Sequence, residues 1–119
     1  DNFERAWRRV GLALDRAGYE VTVAHNGRQA LQFAQATAFD VITCDYQMPD
    51  LNGEEVLAGI RAGGSSQEAR LVLCSAKAYE LDSERLSENF GLAAVFYKPF
   101  SLNELLRVFR QAPSACFAD

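Results

Sequence analysis

Two short runs, Val41-Ile42-Thr43-Cys44 and Leu71-Val72-Leu73-Cys74, carry no charge at any position. A strand with one wet face alternates apolar and polar residues, whereas a run that stays apolar throughout suits a strand covered on both faces. Each run stops at a polar residue, Asp45 and Ser75. Around them the apolar spacing becomes helical. Residues 3–17 (apolar at 3, 7, 10, 14 and 17), 28–37 (30, 31 and 34) and 53–62 (56, 57 and 60) each show one stripe. Residues 79–89 make a polar helix anchored by Leu81 and Leu86, and residues 102–111 a last helix with Ser101 as its cap. Brief β-rich stretches at 19–24 and 93–97 complete an alternation of strand and helix. That alternation predicts an α/β fold, a parallel sheet with helices on both faces and right-handed crossovers.

In a parallel sheet the carboxyl ends of the strands share one edge, the edge at which open α/β sheets bind ligands. Asp45, Ser75 and Lys98 all fall at strand ends, and Asp1 stands just ahead of the first helix. A lone carboxylate at a strand end ordinarily caps a turn. Here a carboxylate, a hydroxyl and an ammonium converge on one pocket. A carboxylate can attack phosphorus and hold the group as an aspartyl phosphate. Such chemistry needs Mg²⁺ on the phosphoryl oxygens, a cation against the developing charge and a hydroxyl donor. Lys98 and Ser75 are the candidates for the last two. After Asp45, Met48-Pro49 takes the backbone out of regular structure, and Asn52-Gly53 turns it into the next helix.

Length and charge narrow the field. A chain of 119 residues with net charge −4 is expected to form one domain, 1–119, and that charge gives no electrostatic case for nucleic-acid binding. No apolar stretch approaches the ~18 residues of a membrane span. Cys44, Cys74 and Cys116 are odd in number and lie mostly in apolar runs. They read as small buried hydrophobes in a reducing cytoplasm. His25, the single histidine, is expected in a loop, and the arginines at 5, 8, 9 and 16 on a solvated helix face.

These motifs resemble the receiver domain of two-component response regulators over essentially the whole chain. Residues 44–53, Cys-Asp-Tyr-Gln-Met-Pro-Asp-Leu-Asn-Gly, are similar to its phosphorylation-site motif, Leu73-Cys74-Ser75-Ala76 to its switch-hydroxyl motif, and Tyr97-Lys98-Pro99-Phe100 to its lysine-proline motif. The resemblance implies a flavodoxin-like, doubly wound five-stranded sheet with strand order 2-1-3-4-5. It implies that Asp45 takes phosphate from a histidine kinase or histidine phosphotransfer domain. Asp1, Asp45 and the Gln47 carbonyl would hold Mg²⁺, Lys98 would pair with the phosphoryl group, and Ser75 would move to bind it.

The chain departs from that pattern in three places. The family's first strand, central in the sheet, should precede Asp1. Read head to tail, residues 115–119 (Ala-Cys-Phe-Ala-Asp) followed by Asp1-Asn2 supply a strand and its acidic pair, as in a circularly permuted receiver. An inserted tail would add Asp119 to the metal ligands; the alternative is a truncated sheet with a linker tail. Val95 stands three residues before the lysine, where the family usually has Tyr or Phe, and Phe96 and Tyr97 flank that place without replacing it. Asn2 stands where a second acid is common. The leading expectation is a phosphoacceptor module without an external metabolite. A pseudo-receiver used as a scaffold is the second reading, and a small aspartate-nucleophile phosphatase the third.

Overall fold

β1 (Glu20–Ala24), β2 (Val41–Asp45), β3 (Arg70–Ser75), β4 (Ala94–Tyr97) and β5 (Ser114–Ala118) form a single sheet in the order β1-β5-β2-β3-β4, every pair parallel. The structure, a computed structural model, describes residues 11, 12, 14–16, 18–76, 81–97, 103, 104, 107 and 114–118. The predicted tail strand is therefore present, one residue earlier than its expected start, and it fills the slot between β1 and β2. Ser114 to Ala118 stand opposite Glu20 to Ala24 on one side, and Ala115 to Ala118 opposite Val41 to Cys44 on the other. The truncated-sheet alternative is thereby excluded.

Asp40 fastens the start of that strand. Its carboxylate accepts the Ser114 N–H at 3.1 Å and the Ser114 hydroxyl at 2.9 Å, and its own N–H reaches the Ser114 carbonyl at 3.1 Å. The Asp40 carbonyl also accepts the Arg70 N–H at 2.9 Å, so one residue aligns the amino ends of β5 and β3 on either side of β2.

Three helices between these strands are described in full: α1 (Gly27–Ala36), α2 (Gly53–Ala62) and α3 (Ser83–Phe90). Residues 11, 12 and 14–16 are helical, as are 103, 104 and 107, within the spans predicted for the first and last helices. Asn26 caps α1 by accepting the Gln29 N–H. The third helix starts at Ser83 because the Asp82 side chain accepts the Arg85 N–H at 3.1 Å; residues 81 and 82 are not helical, against the predicted start at 79.

The apolar runs read as doubly covered strands are that. Ile42, Cys44, Leu71, Leu73 and Cys116 pack with Ala30, Ala34, Val56, Leu57, Ile60 and Leu86 of the three helices in one core. Val41, Val72 and Cys74 alternate to the opposite face and are equally buried, as is Leu14 from the first helical stretch. Arg61 closes the lower corner of the first core. Its guanidinium donates to the carbonyls of Phe90, Gln67 and Ala69 at 2.7–2.8 Å, joining the end of α2 to the end of α3 and the approach to β3.

Thr43, in the middle of β2, is 1% exposed, and its hydroxyl finds no hydrogen-bond partner among the described residues. A buried hydroxyl in that condition costs about 1–3 kcal/mol. The nearly isosteric Thr43→Val is expected to raise stability by about 1 kcal/mol, read as a higher urea midpoint with an unchanged slope.

Candidate functional site

β2 and β3 end side by side at the carboxyl edge of the sheet. Asp45 stands opposite Cys74, and Ser75 follows Cys74 by one residue. Both are withdrawn from solvent, Asp45 at 8% exposure and Ser75 at 0%. A carboxylate buried to this degree suits a place that gathers cations, because an uncompensated charge there is costly. The neighbouring thiol adds no charge of its own: burial, with smaller effects of Cys74, Asp45 and Cys116, pushes Cys44 well up, so it stays protonated. Burial likewise pushes Cys116 up to about 12. All three cysteines are buried and none forms a disulfide, as their runs predicted.

The loop leaving Asp45 is tied at its base and at its far side. The Tyr46 N–H donates to the Cys74 carbonyl at 2.8 Å, and the Gly53 N–H donates back to the Tyr46 carbonyl at 2.7 Å. Asn52 then starts α2 with a reciprocal cap: its side chain accepts the Glu55 N–H at 2.9 Å, and the Glu55 carboxylate accepts the Asn52 N–H at 3.1 Å. The far side is held by Asp50, whose carboxylate accepts the N–H groups of Gly27 at 2.8 Å, Arg28 at 2.9 Å and Leu51 at 2.8 Å. The Arg28 amide foremost, with those of Gly27 and Leu51, holds the Asp50 carboxyl below the usual carboxylate range, against an opposing effect of desolvation. Asp50 did not stand out in the sequence, although an Asp directly after a proline is a recognised turn former.

Gln47 lies exposed in this loop, between the Tyr46 anchor and Asp50. Beyond it, Glu54 of α2 pairs with Arg85 of α3 at 2.7 Å. Both side chains are substantially exposed, so this pair contributes ~0–1 kcal/mol and serves mainly to orient α3. Asp1, Asn2, Lys98 and Asp119 lie outside the described residues. The residues that precede Asp119 and Lys98 reach the same edge: Ala118 stands opposite Cys44, and Tyr97 opposite Ser75. In the last strand neither aromatic takes the register position of Val95. Val95 stands opposite Leu73 and Tyr97 opposite Ser75, so Tyr97 shares the face of Val95, one pair nearer the edge, and Phe96 alone turns away.

The donor that the described residues supply at this edge is a hard oxygen, the Asp45 carboxylate, a type that fits Mg²⁺ and not a soft metal. Among the described residues no group of three or more His, Cys, Asp or Glu side chains could hold a metal, so a complete set would draw on the acids outside them. A cleft of about 450 Å³ opens at the opposite, amino edge of the sheet, lined by Phe39, Asp40, Glu68 and Arg70 among others, and takes no part in this arrangement. No helix among the described residues is long and apolar enough to cross a membrane.

Comparison with known proteins gives a consistent picture. The family model for the response regulator receiver domain matches residues 1–110. A probable transcriptional regulator, ycf29, of Pyropia yezoensis is 33% identical over 91 residues, which are 76% of this chain and 40% of that protein. The chain thus spans well under half of that relative. The receiver domain of the sensor histidine kinase PA1611 from Pseudomonas aeruginosa PAO1, solved with a magnesium ion in its active-site cleft, is 27% identical with a TM-score of 0.75, covering 92% of this chain and 86% of that one. A CheY-like receiver domain protein from Methanospirillum hungatei JF-1 superposes with a TM-score of 0.79 at 22% identity, over 93% of this chain and 86% of that one, which speaks to the fold alone.

Proposed function

Because the chain belongs to the response regulator receiver domain family, we propose that it is a phosphoacceptor signalling module in which Asp45 receives a phosphoryl group from a histidine kinase or histidine phosphotransfer domain. The observation that carries this reading is the placement of Asp45 and Ser75, both buried at the carboxyl ends of adjacent parallel strands. A carboxylate oxygen of Asp45 attacks phosphorus, the P–N bond of the phosphohistidine breaks, and the imidazole leaves with the electron pair and takes up a proton. Lys98 pairs with the phosphoryl oxygens, and the Ser75 hydroxyl donates to one of them. Asp1, Asp45, the Gln47 carbonyl and Asp119 are the residues that would hold Mg²⁺. Bound there, the ion would draw charge from the phosphoryl oxygens as the new bond forms.

On this reading residues 1–119 make one receiver domain in the cytoplasm, with β5 as its central strand. The direction of β5 supports the assignment of Asp119, since Ala118 is already level with Cys44 at the acceptor edge. The partner that reads the phosphorylated state belongs to whatever output the module serves.

Intact mass after incubation with acetyl phosphate and Mg²⁺ tests the proposal. One phosphoryl group is expected, stable in acid and labile in base, and absent from Asp45→Asn or when EDTA replaces Mg²⁺. An Asp45→Asn protein that still gains the same group would place the acceptor elsewhere and end this reading.

A further inference from the structure

The loop between Asp45 and Gly53 carries Gln47, whose carbonyl must stand at a fixed distance from Asp45 if both are to ligate one ion. The two backbone bonds at Tyr46 secure only the base of that loop. Its far side meets the amino end of α1, and there the contact is both polar and tight. Asp50 Oδ1 accepts the N–H groups of Gly27 and Leu51, and Oδ2 accepts that of Arg28. A negative group at a helix amino terminus is doubly favoured, by the free N–H groups and by the helix dipole. Both oxygens are thus committed to backbone amides, and the charge faces α1. The packing beside them leaves no slack: a Cβ built on Gly27 would lie 2.8 Å from Leu51 Cβ, 3.0 Å from Val56 Cγ2 and 3.3 Å from Asp50 Oδ1.

We infer that Asp50 is a positioning residue for the metal site, a strut from the acceptor loop to the amino terminus of α1 that sets where the Gln47 carbonyl stands relative to Asp45. This rests on the function proposed above. It goes further by assigning part of the site's geometry to a helix that holds none of the proposed ligands. Removing the strut leaves β2, β3 and the base of the loop in place, and frees the segment that carries Gln47. Loss of a group that orients a ligand typically weakens metal binding 10–100-fold.

Two variants approach the strut from opposite sides. Asp50→Ala removes its acceptors; Gly27→Ala keeps them and pushes the loop away from α1. Isothermal titration with Mg²⁺ alone, on unphosphorylated protein, is expected to show Kd raised about 10-fold in each, and less in Asp50→Asn, which keeps one acceptor. Amide hydrogen exchange without metal should quicken across residues 46–51 while β2 and β3 keep their protection. An Asp50→Ala protein that binds Mg²⁺ within twofold of the unaltered chain would overturn the positioning role, even if its melting temperature fell. If Asp50→Ala does not fold, the same twofold criterion is applied to Asp50→Asn. An unaltered chain that binds no Mg²⁺ would overturn the functional reading, and the positioning role with it.

Discussion

Deleting residues 114–119 is expected to abolish cooperative folding. Among the described residues β5 is the only partner of β1 and one of the two partners of β2, so its loss strips β1 of its ladder bonds there and opens one side of β2. The exposed row of unpaired N–H and C=O groups on β2 invites association with other chains. Cys116 leaves the core, and Ile42 and Cys44, fully buried in the intact sheet, lose that neighbour. Set against the ~5–15 kcal/mol that holds a typical domain together, the missing strand removes most or all of the margin. Near-ultraviolet circular dichroism and urea titration are the measurements: the deletion should show no cooperative transition, and a midpoint like that of the unaltered chain would contradict the sheet order. Attaching residues 114–119 ahead of Asp1 should restore folding, because the strand would then enter the same slot from the other end of the chain.

Gly53→Val is expected to destabilise the protein by about 3 kcal/mol and to slow phosphorylation of Asp45 at the same time. The Cβ of any side chain at Gly53 would lie 2.8 Å from Leu73 Cδ1, 2.8 Å from Tyr46 Cα and 3.1 Å from the Asp45 carbonyl oxygen. Leu73 can rotate away, but two of the three atoms are backbone of the acceptor strand and its loop. Relief must come from moving α2 or Asp45, and overpacking that forces backbone shifts costs ~1–3 kcal/mol, with the branched valine at the upper end. Gly59→Ala is the informative contrast within the same helix. Its Cβ would meet only the side chain of Leu31, whose nearest methyl is 2.6 Å away and can swing aside. Alanine also favours a helix interior by ~1 kcal/mol over glycine, so that change should cost little. Denaturant midpoints and the rate of acetyl phosphate labelling separate the two. Equal effects at 53 and 59 would mean that the crowding at Gly53 is not what matters.

What the sequence determined by itself was local. The charge-free runs at 41–44 and 71–74 required strands covered on both faces, because an exposed run of that kind would leave apolar surface in water, and both runs are buried from end to end. The polar residues that end them, Asp45 and Ser75, had to emerge at the edge where parallel strands finish. Asn26 and Asn52 start their helices because a short acceptor side chain can satisfy a free amide of the first turn. Boundaries slipped where a cap competes with the periodic pattern, as at Asp82. The tertiary structure alone decided the rest. Residues 115–119 could be a strand or a linker until β1 and β2 were found to lie on either side of the tail, since a strand acquires its hydrogen bonds from partners distant in the chain. The two anchoring carboxylates, Asp40 and Asp50, were invisible for the same reason: their partners lie 74 residues away at Ser114 and 22 or 23 away at Arg28 and Gly27. No local pattern records a hydrogen bond across that separation; only the sheet order and the packing of α1 against the acceptor loop bring the two ends together.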